Sequence, residues 1–178
     1  NVRETASVIY RRALEADLLP GRSIEGVATG ALYAAARQAG FPRTIDELAR
    51  VSRVEETEFE RTYRYVVREL GLGVAPADPV SYVTRFTSEL GLSDEADRLA
   101  RLMLEAAKER GRHSGKNPVG LAAAAVYAAP LLTDEDVTQR EVGEVADISE
   151  VTIRNRYRDL LEAYDAADRP VPARDGAV

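Results

Sequence analysis

Val151, Arg154, Asn155 and Arg158 recur at intervals of three and four within DISEVTIRNRYRDL (147–160), the spacing that gathers side chains on one side of a helix. That set suits one chemistry. An arginine can pair with O6 and N7 of a guanine, and a valine methyl can meet a thymine methyl in a major groove. The N–H groups of the helix's first turn can meet a phosphate. The plainer alternative is a helical corner in which Arg154 pairs with Glu150, four residues earlier. With a formal net charge of −6, the groove reading must rest on local cations and not on a basic surface.

Composition excludes several other chemistries. The chain has no cysteine and a single histidine, so disulfides, Cys-based zinc sites and multi-His metal sites are ruled out, and no metal or cofactor is expected. The longest apolar run, VGLAAAAVYAAPLL, is too short to span a bilayer, and no signal peptide is visible. A soluble, cytoplasmic monomer with no membrane partner is expected. Only Lys108 and Lys116 of the 24 basic residues are lysines, beside 30 Asp and Glu. A salt-rich cytoplasm favours such a composition; a GC-rich genome that turns lysine codons to arginine is the alternative. GRHSGKN (111–117) is not a phosphate loop, because three residues separate its glycines and Asn117 follows Lys116. His113 reads as a solvated loop residue, and Asp134, Glu135 and Asp136 as a hydrated loop. No catalytic residue is assigned, and an enzyme is not expected.

The elements that must position the groove-facing set belong to a duplication. GRSIEGVATGALYAAA begins at 21 and GKNPVGLAAAAVYAAP begins at 115, 94 residues later. The same offset, without a gap, pairs Tyr33 with Tyr127, Thr44 with Thr138, Glu47 with Glu141, Tyr63 with Tyr157 and Arg64 with Arg158. Such a register across loops and helices marks a repeated unit. Each unit reads as helices, and no period-two strand pattern occurs. The spacing predicts helices near 2–16, 23–38, 44–51 and 55–70, then from Pro79 to Leu90, Ser93 to Glu109, Pro118 to Ala129, Thr138 to Ala146 and Ser149 to Tyr164. The first repeat is placed at 1–70, a linker at 71–78, the second repeat at 79–165 and a flexible tail at 166–178. By the offset, a first helix for the first repeat would precede residue 1, so the chain is expected to be cut from a larger protein. Its loss should uncover apolar surface around Val27, Leu32 and Val66.

TQREVGEVADISEVTIRNRYRDLLEAY (138–164) has the grammar of a helix–turn–helix. Thr138 and Glu141 form a capping box, Gly143 keeps the first helix thin, and Ser149 caps the second. Ile153, Tyr157, Leu160, Leu161 and Tyr164 should face the core. The first repeat carries Glu55, Glu56, Glu58 and Glu60 where the second carries its groove set, and these would repel a phosphate backbone. Its helix is not expected to read bases.

GRSIEGVATGALYAAARQAG, TIDELARVSRV, GKNPVGLAAAAVYAA and TQREVGEVADISEVTIRNRY resemble the core of archaeal transcription factor B, the counterpart of eukaryotic initiation factor IIB. The resemblance covers about residues 1–165, and the lysine-poor composition resembles a haloarchaeal member. It implies an all-α fold of two cyclin-like five-helix repeats, the first without its N-terminal helix. It implies binding to the complex of TATA-binding protein with promoter DNA, reading of an upstream B-recognition element, and recruitment of RNA polymerase. Gln139, Val151 and Arg154 become the base readers, with Lys116, Thr152, Asn155 and Arg158 near phosphates. Gly21, Arg22 and Ser23 would approach DNA downstream of TATA, and Arg37 would face the TATA-binding protein. The family's N-terminal zinc ribbon is not in this chain, and RVEETE is acidic where eukaryotic relatives carry lysines. A cyclin-type protein-binding module that never touches DNA is the alternative.

Overall fold

The computed structural model describes residues 1–167, which contain nine α-helices, a short 3-10 turn at Ala129–Leu132 and no strand. The expected tail lies, from 168 onward, outside the described residues. The chain divides into two compact units, Asn1–Ala77 and Asp78–Val178. The first contains α1 (Val2–Glu15), α2 (Ile24–Gln38), α3 (Ile45–Val51) and α4 (Glu56–Glu69). The second contains α5 (Val80–Leu90), α6 (Asp94–Glu109), α7 (Pro118–Ala128), α8 (Gln139–Ala146) and α9 (Glu150–Asp165).

The 94-residue register recurs in local geometry. Thr44 with Glu47 and Thr138 with Glu141 both form complete capping boxes, each satisfying two N–H groups at a helix start. Tyr33 meets Tyr63 edge-on at 4.8 Å between ring centres, and Tyr127 meets Tyr157 edge-on at 5.1 Å. Small residues make α2 and α7 the central helices. A Cβ on Gly30 would stand 3.3 Å from Tyr63 Cα, so α4 lies directly against α2; one on Gly120 would stand 3.1 Å from the Thr152 methyl of α9. Ala122, Ala123, Ala124, Ala125 and Val126 are fully buried. The last helix of each unit is thereby packed closely against the central helix at its glycine.

The units differ where α5 packs on α7, because residues 1–77 hold no counterpart of α5. Val126 is fully buried, whereas its counterpart Leu32 is 43% exposed. The expected uncovering of Val27 and Val66 does not occur. Both are completely buried, in a cluster with Ile9, Ala13 and Ala31 that α1 closes. Two carboxylates tie the second unit together. Asp97 accepts hydrogen bonds from Thr84 Oγ1 (2.8 Å), Thr87 Oγ1 (3.0 Å) and Arg101 Nε (2.6 Å), fastening α5 to α6. Glu135, expected in a hydrated loop, accepts from Ser93 N (2.9 Å), Ser93 Oγ (2.6 Å) and Thr133 Oγ1 (3.1 Å), pinning its loop to the start of α6.

Candidate nucleic-acid interface

The turn that aims α9 depends on one glycine and one left-handed residue. Asp147 ends α8 at φ 55°, ψ 47°, and Ile148 N donates to Gly143 O at 3.0 Å. This folds the turn back over α8 so closely that a Cβ on Gly143 would lie 2.7 Å from Ile148 O. The first unit turns differently. Ala49 stands at the position of Gly143, and α3 ends one residue earlier in the register, at Ser52 with extended backbone (φ −92°, ψ 168°). After the turn, Ser149 accepts from Thr152 N at 3.3 Å and starts α9. Ile153, Leu160 and Tyr164 are buried and fix its rotation; Tyr157 and Leu161 are partly buried.

That rotation leaves Val151, Arg154, Asn155 and Arg158 exposed. Val151 is 57% exposed, at the opening turn. Arg154 makes no hydrogen bond or ion pair within the described residues, so the expected alternative, a pair with Glu150, does not form. Arg140 on α8 shows the contrast: Glu144 holds it at 2.9 Å. Arg158 Nε donates to Tyr157 Oη at 3.2 Å, which raises its already high pKa. Gln139, partly buried, is the first residue of α8. Thr152 is partly buried: its methyl lies toward Gly120, and its hydroxyl, 2.9 Å from Ser149 Oγ, is on the exposed side. Lys116 is partly buried, and its Nζ lies 3.3 Å from Asp159 of α9. His113, in the same loop, is not the solvated residue expected; it is half-buried, with Nδ1 shielded from solvent and unpartnered.

In the first unit the same loop-to-helix contact is built from other residues. Arg22 stacks on the Tyr65 ring of α4, 3.3 Å from its centre. Ser23 caps α2 by accepting from Gly26 N at 3.0 Å and donates to Glu58 at 2.6 Å. Gly21 is exposed with φ +78°. Beyond the acidic opening of α4, Arg61, Arg64 and Arg68 surround Tyr65 and Arg22, enclosing a recess of about 520 Å³. Glu60 pairs with Arg64 and Glu69 with Arg68, while Arg61 has no ion pair in the described residues. Nearer the α3–α4 turn, the Asp46 carboxylate beside Glu56 raises the pKa of Glu56, a sign of concentrated negative charge there. The surface of α4 is therefore acidic at its start and basic further along. Sequence reasoning passed over Arg61 and Tyr65. The offset held the signal, since it pairs Arg22 with Lys116 and Tyr65 with Asp159, an aromatic residue in place of an acid. Arg37 points elsewhere: its Nη2 donates to Ala75 O at 2.6 Å, and its guanidinium lies 5.9 Å from the Tyr33 ring centre.

Among the described residues no group of histidines, cysteines and carboxylates could hold a metal ion, and no helix is long and apolar enough to cross a membrane. A family model described as the transcription factor TFIIB repeat matches residues 1–69 and 74–163. The chain is 76% identical over 165 residues to transcription initiation factor IIB 6 of Halobacterium salinarum, covering 93% of this chain and 52% of that protein. It is 74% identical over 165 residues to transcription initiation factor IIB 2 of Haloferax volcanii, covering 93% and 50%. Against transcription initiation factor IIB of Archaeoglobus fulgidus it is 56% identical over 162 residues, covering 91% and 50%. The chain thus spans about half the length of the curated relatives it matches. The two matched segments coincide with the two helical units, and the all-helical duplication is accounted for as a pair of cyclin-like repeats: the chain belongs to the transcription factor TFIIB repeat family.

Proposed function

We propose that this chain is the core of an archaeal transcription initiation factor that binds the complex of TATA-binding protein with promoter DNA. In this reading α8 and α9 act as a helix–turn–helix, and α9 enters the major groove upstream of TATA. Gln139, Val151 and Arg154 read bases; Asn155, Arg158, Thr152 and Lys116 lie along phosphates. Gly21, Arg22 and Ser23, with Arg61 beside them, approach the backbone downstream, and Arg37 lies on the side of the TATA-binding protein. RNA polymerase is recruited to the assembly.

The observation that carries the reading is Arg154. It is exposed on the opening turns of a helix with an exposed valine beside it, and among the described residues no carboxylate pairs with it, although the chain has more acids than bases. A guanidinium left unpaired on such a surface is available for a bidentate base contact. The net charge of −6 is no obstacle. A TATA-binding protein kinks DNA by about 80°, and a factor clamping the bent complex draws affinity from protein contacts as well as from a few groove contacts.

The test is a mobility shift at molar salt with a TATA-binding protein and a promoter, with and without the chain. A slower complex that depends on the upstream element is the expected result. Binding to the protein without any dependence on upstream DNA would overturn base reading and favour a protein-binding cyclin module.

A further inference from the structure

Of the expected linker 71–78, most is fastened to the first unit. After α4, Gly71 takes a left-handed turn at φ +57°, and Leu72 N donates to Val67 O at 2.9 Å. Leu72 is buried in the cluster of Ile9, Ala13, Val27 and Ala31, and Val74 packs against it. Two arginines from other helices bond the backbone here, one at the residue just before the segment and one within it. Arg12 Nη2 on α1 donates to Leu70 O at 2.9 Å, and Arg37 Nη2 on α2 donates to Ala75 O at 2.6 Å. Arg37 is itself held in place beside the edge-on rings of Tyr33 and Tyr63. Tyr63 senses its charge: burial raises that hydroxyl's pKa, and Arg37 works against the rise. On the far side, Asp78 belongs to the start of α5, accepting from Val80 N at 3.1 Å, while its carbonyl accepts from Ser81 Oγ at 2.7 Å. Only Pro76 and Ala77 lie between the two anchorages. The proline fixes its own φ and restricts Ala75 to extended backbone.

The duplication sharpens the point. At the positions matching Arg12 and Arg37 the second unit has Ala106 and Leu131, neither of which can bond a carbonyl through its side chain. We propose that Arg37 is a positioning residue: by bonding Ala75 O it straps residues 73–75, which follow the buried Leu72, to the first unit and shortens the free joint to the second unit to two residues. A short joint keeps the second unit at high effective concentration once the first is bound. Leu72 stays anchored by its burial, so releasing the strap would lengthen the joint from two residues to five, and the −3/2 power law then lowers that concentration roughly fourfold. The strap itself stands on the geometry of the first unit alone; its effect on assembly rests on the function proposed above.

The experiment uses the whole chain. Arg37→Met keeps the apolar stem and removes the donor; Arg37→Lys restores a donor. In free Arg37→Met the Val74 amide should exchange about tenfold faster, as for one lost charge-assisted bond, with Phe59 and Val66 amides unchanged. Elastase, which cuts after small apolar residues, should cleave after Val74 more readily; the Ala75–Pro76 bond resists it in either chain. Binding to the promoter complex should weaken roughly fourfold, and Arg37→Lys should recover protection and binding together. Unchanged exchange and cleavage in Arg37→Met overturn the strap, even if binding falls, since Arg37 would then be a direct partner contact. Should the promoter complex fail to form with any variant, the function is refuted and the free-chain readouts still decide the strap. If Arg37→Met does not fold, the unaltered chain decides: cleavage after Val74 as fast as after Ala77 overturns the proposal.

Discussion

Arg22 lies over the ring of Tyr65 at 3.3 Å, and the residues 94 positions later, Lys116 and Asp159, form an ion pair of the same length. One contact, between the loop before a central helix and the last helix of the repeat, is thus made in two electrostatic forms. Stacking leaves Arg22 with its charge, because a tyrosine ring attracts a cation without neutralising it. Asp159 neutralises Lys116. The sequence reading placed Lys116 and Arg22 alike near the DNA backbone; the structure pairs the first with a carboxylate and leaves the second stacked on a ring.

Salt titrations should separate the two. Arg22→Ala is expected to lower the slope of log affinity against log salt by about one, the signature of a lost phosphate contact. Lys116→Ala should lower it by less, because a phosphate must first displace Asp159. Asp159→Asn should tighten binding. A larger slope change for Lys116→Ala than for Arg22→Ala would show that the ion pair opens freely on DNA.

Arg154→Ala should cost about 1–3 kcal/mol on a promoter with a good upstream element, as for one bidentate base contact. On a scrambled element the cost should nearly vanish. Glu60→Ala, at the matching position of the first unit, should leave discrimination between the two promoters intact. Equal losses for Arg154→Ala on both promoters would reduce it to a backbone contact.

Gly143→Ala should destabilise the second unit by roughly 1–2 kcal/mol. The new methyl meets the Ile148 carbonyl at 2.7 Å, and overpacking costs about 1–3 kcal/mol, offset in part by alanine's better helix propensity. Denaturant unfolding monitored on the second unit would measure it. An unchanged midpoint would mean that the turn relaxes without cost.

Acid should loosen the second unit at two ties. Burial pushes the Asp97 carboxyl up, but hydrogen bonds from Arg101, Thr84 and Thr87 outweigh it and hold the pKa below its ordinary value. Burial likewise raises Glu135, and bonds from Ser93 and Thr133 overcome it. A carboxyl depressed on folding contributes stability above its unfolded pKa and loses it as pH falls through the folded value. Stability should therefore decline from about pH 4.5 downward, and Asp97→Asn with Glu135→Gln should flatten that decline. An identical acid profile in the double variant would assign the loss to other groups.

The periodicity of apolar residues, the two capping boxes and the offset of 94 residues were enough to place the helices within a residue or two, because each rests on neighbours in sequence. The exposed side of α9 was legible for the same reason: Ile153, Leu160 and Tyr164 must be buried, and helical spacing then leaves Val151, Arg154, Asn155 and Arg158 outside. What Lys116, Arg22 and Arg37 are bound to was decided only by the tertiary fold. The pairing of Lys116 with Asp159, the stacking of Arg22 on Tyr65 and the capture of Ala75 by Arg37 span 38 to 43 residues and depend on how close two helices come. The same holds for Val27 and Val66, expected to be uncovered and in fact buried in one cluster with Ile9 and Ala13 of α1. Local pattern sets what a residue can do; the distance to its partner across the packing sets what it is left free to do.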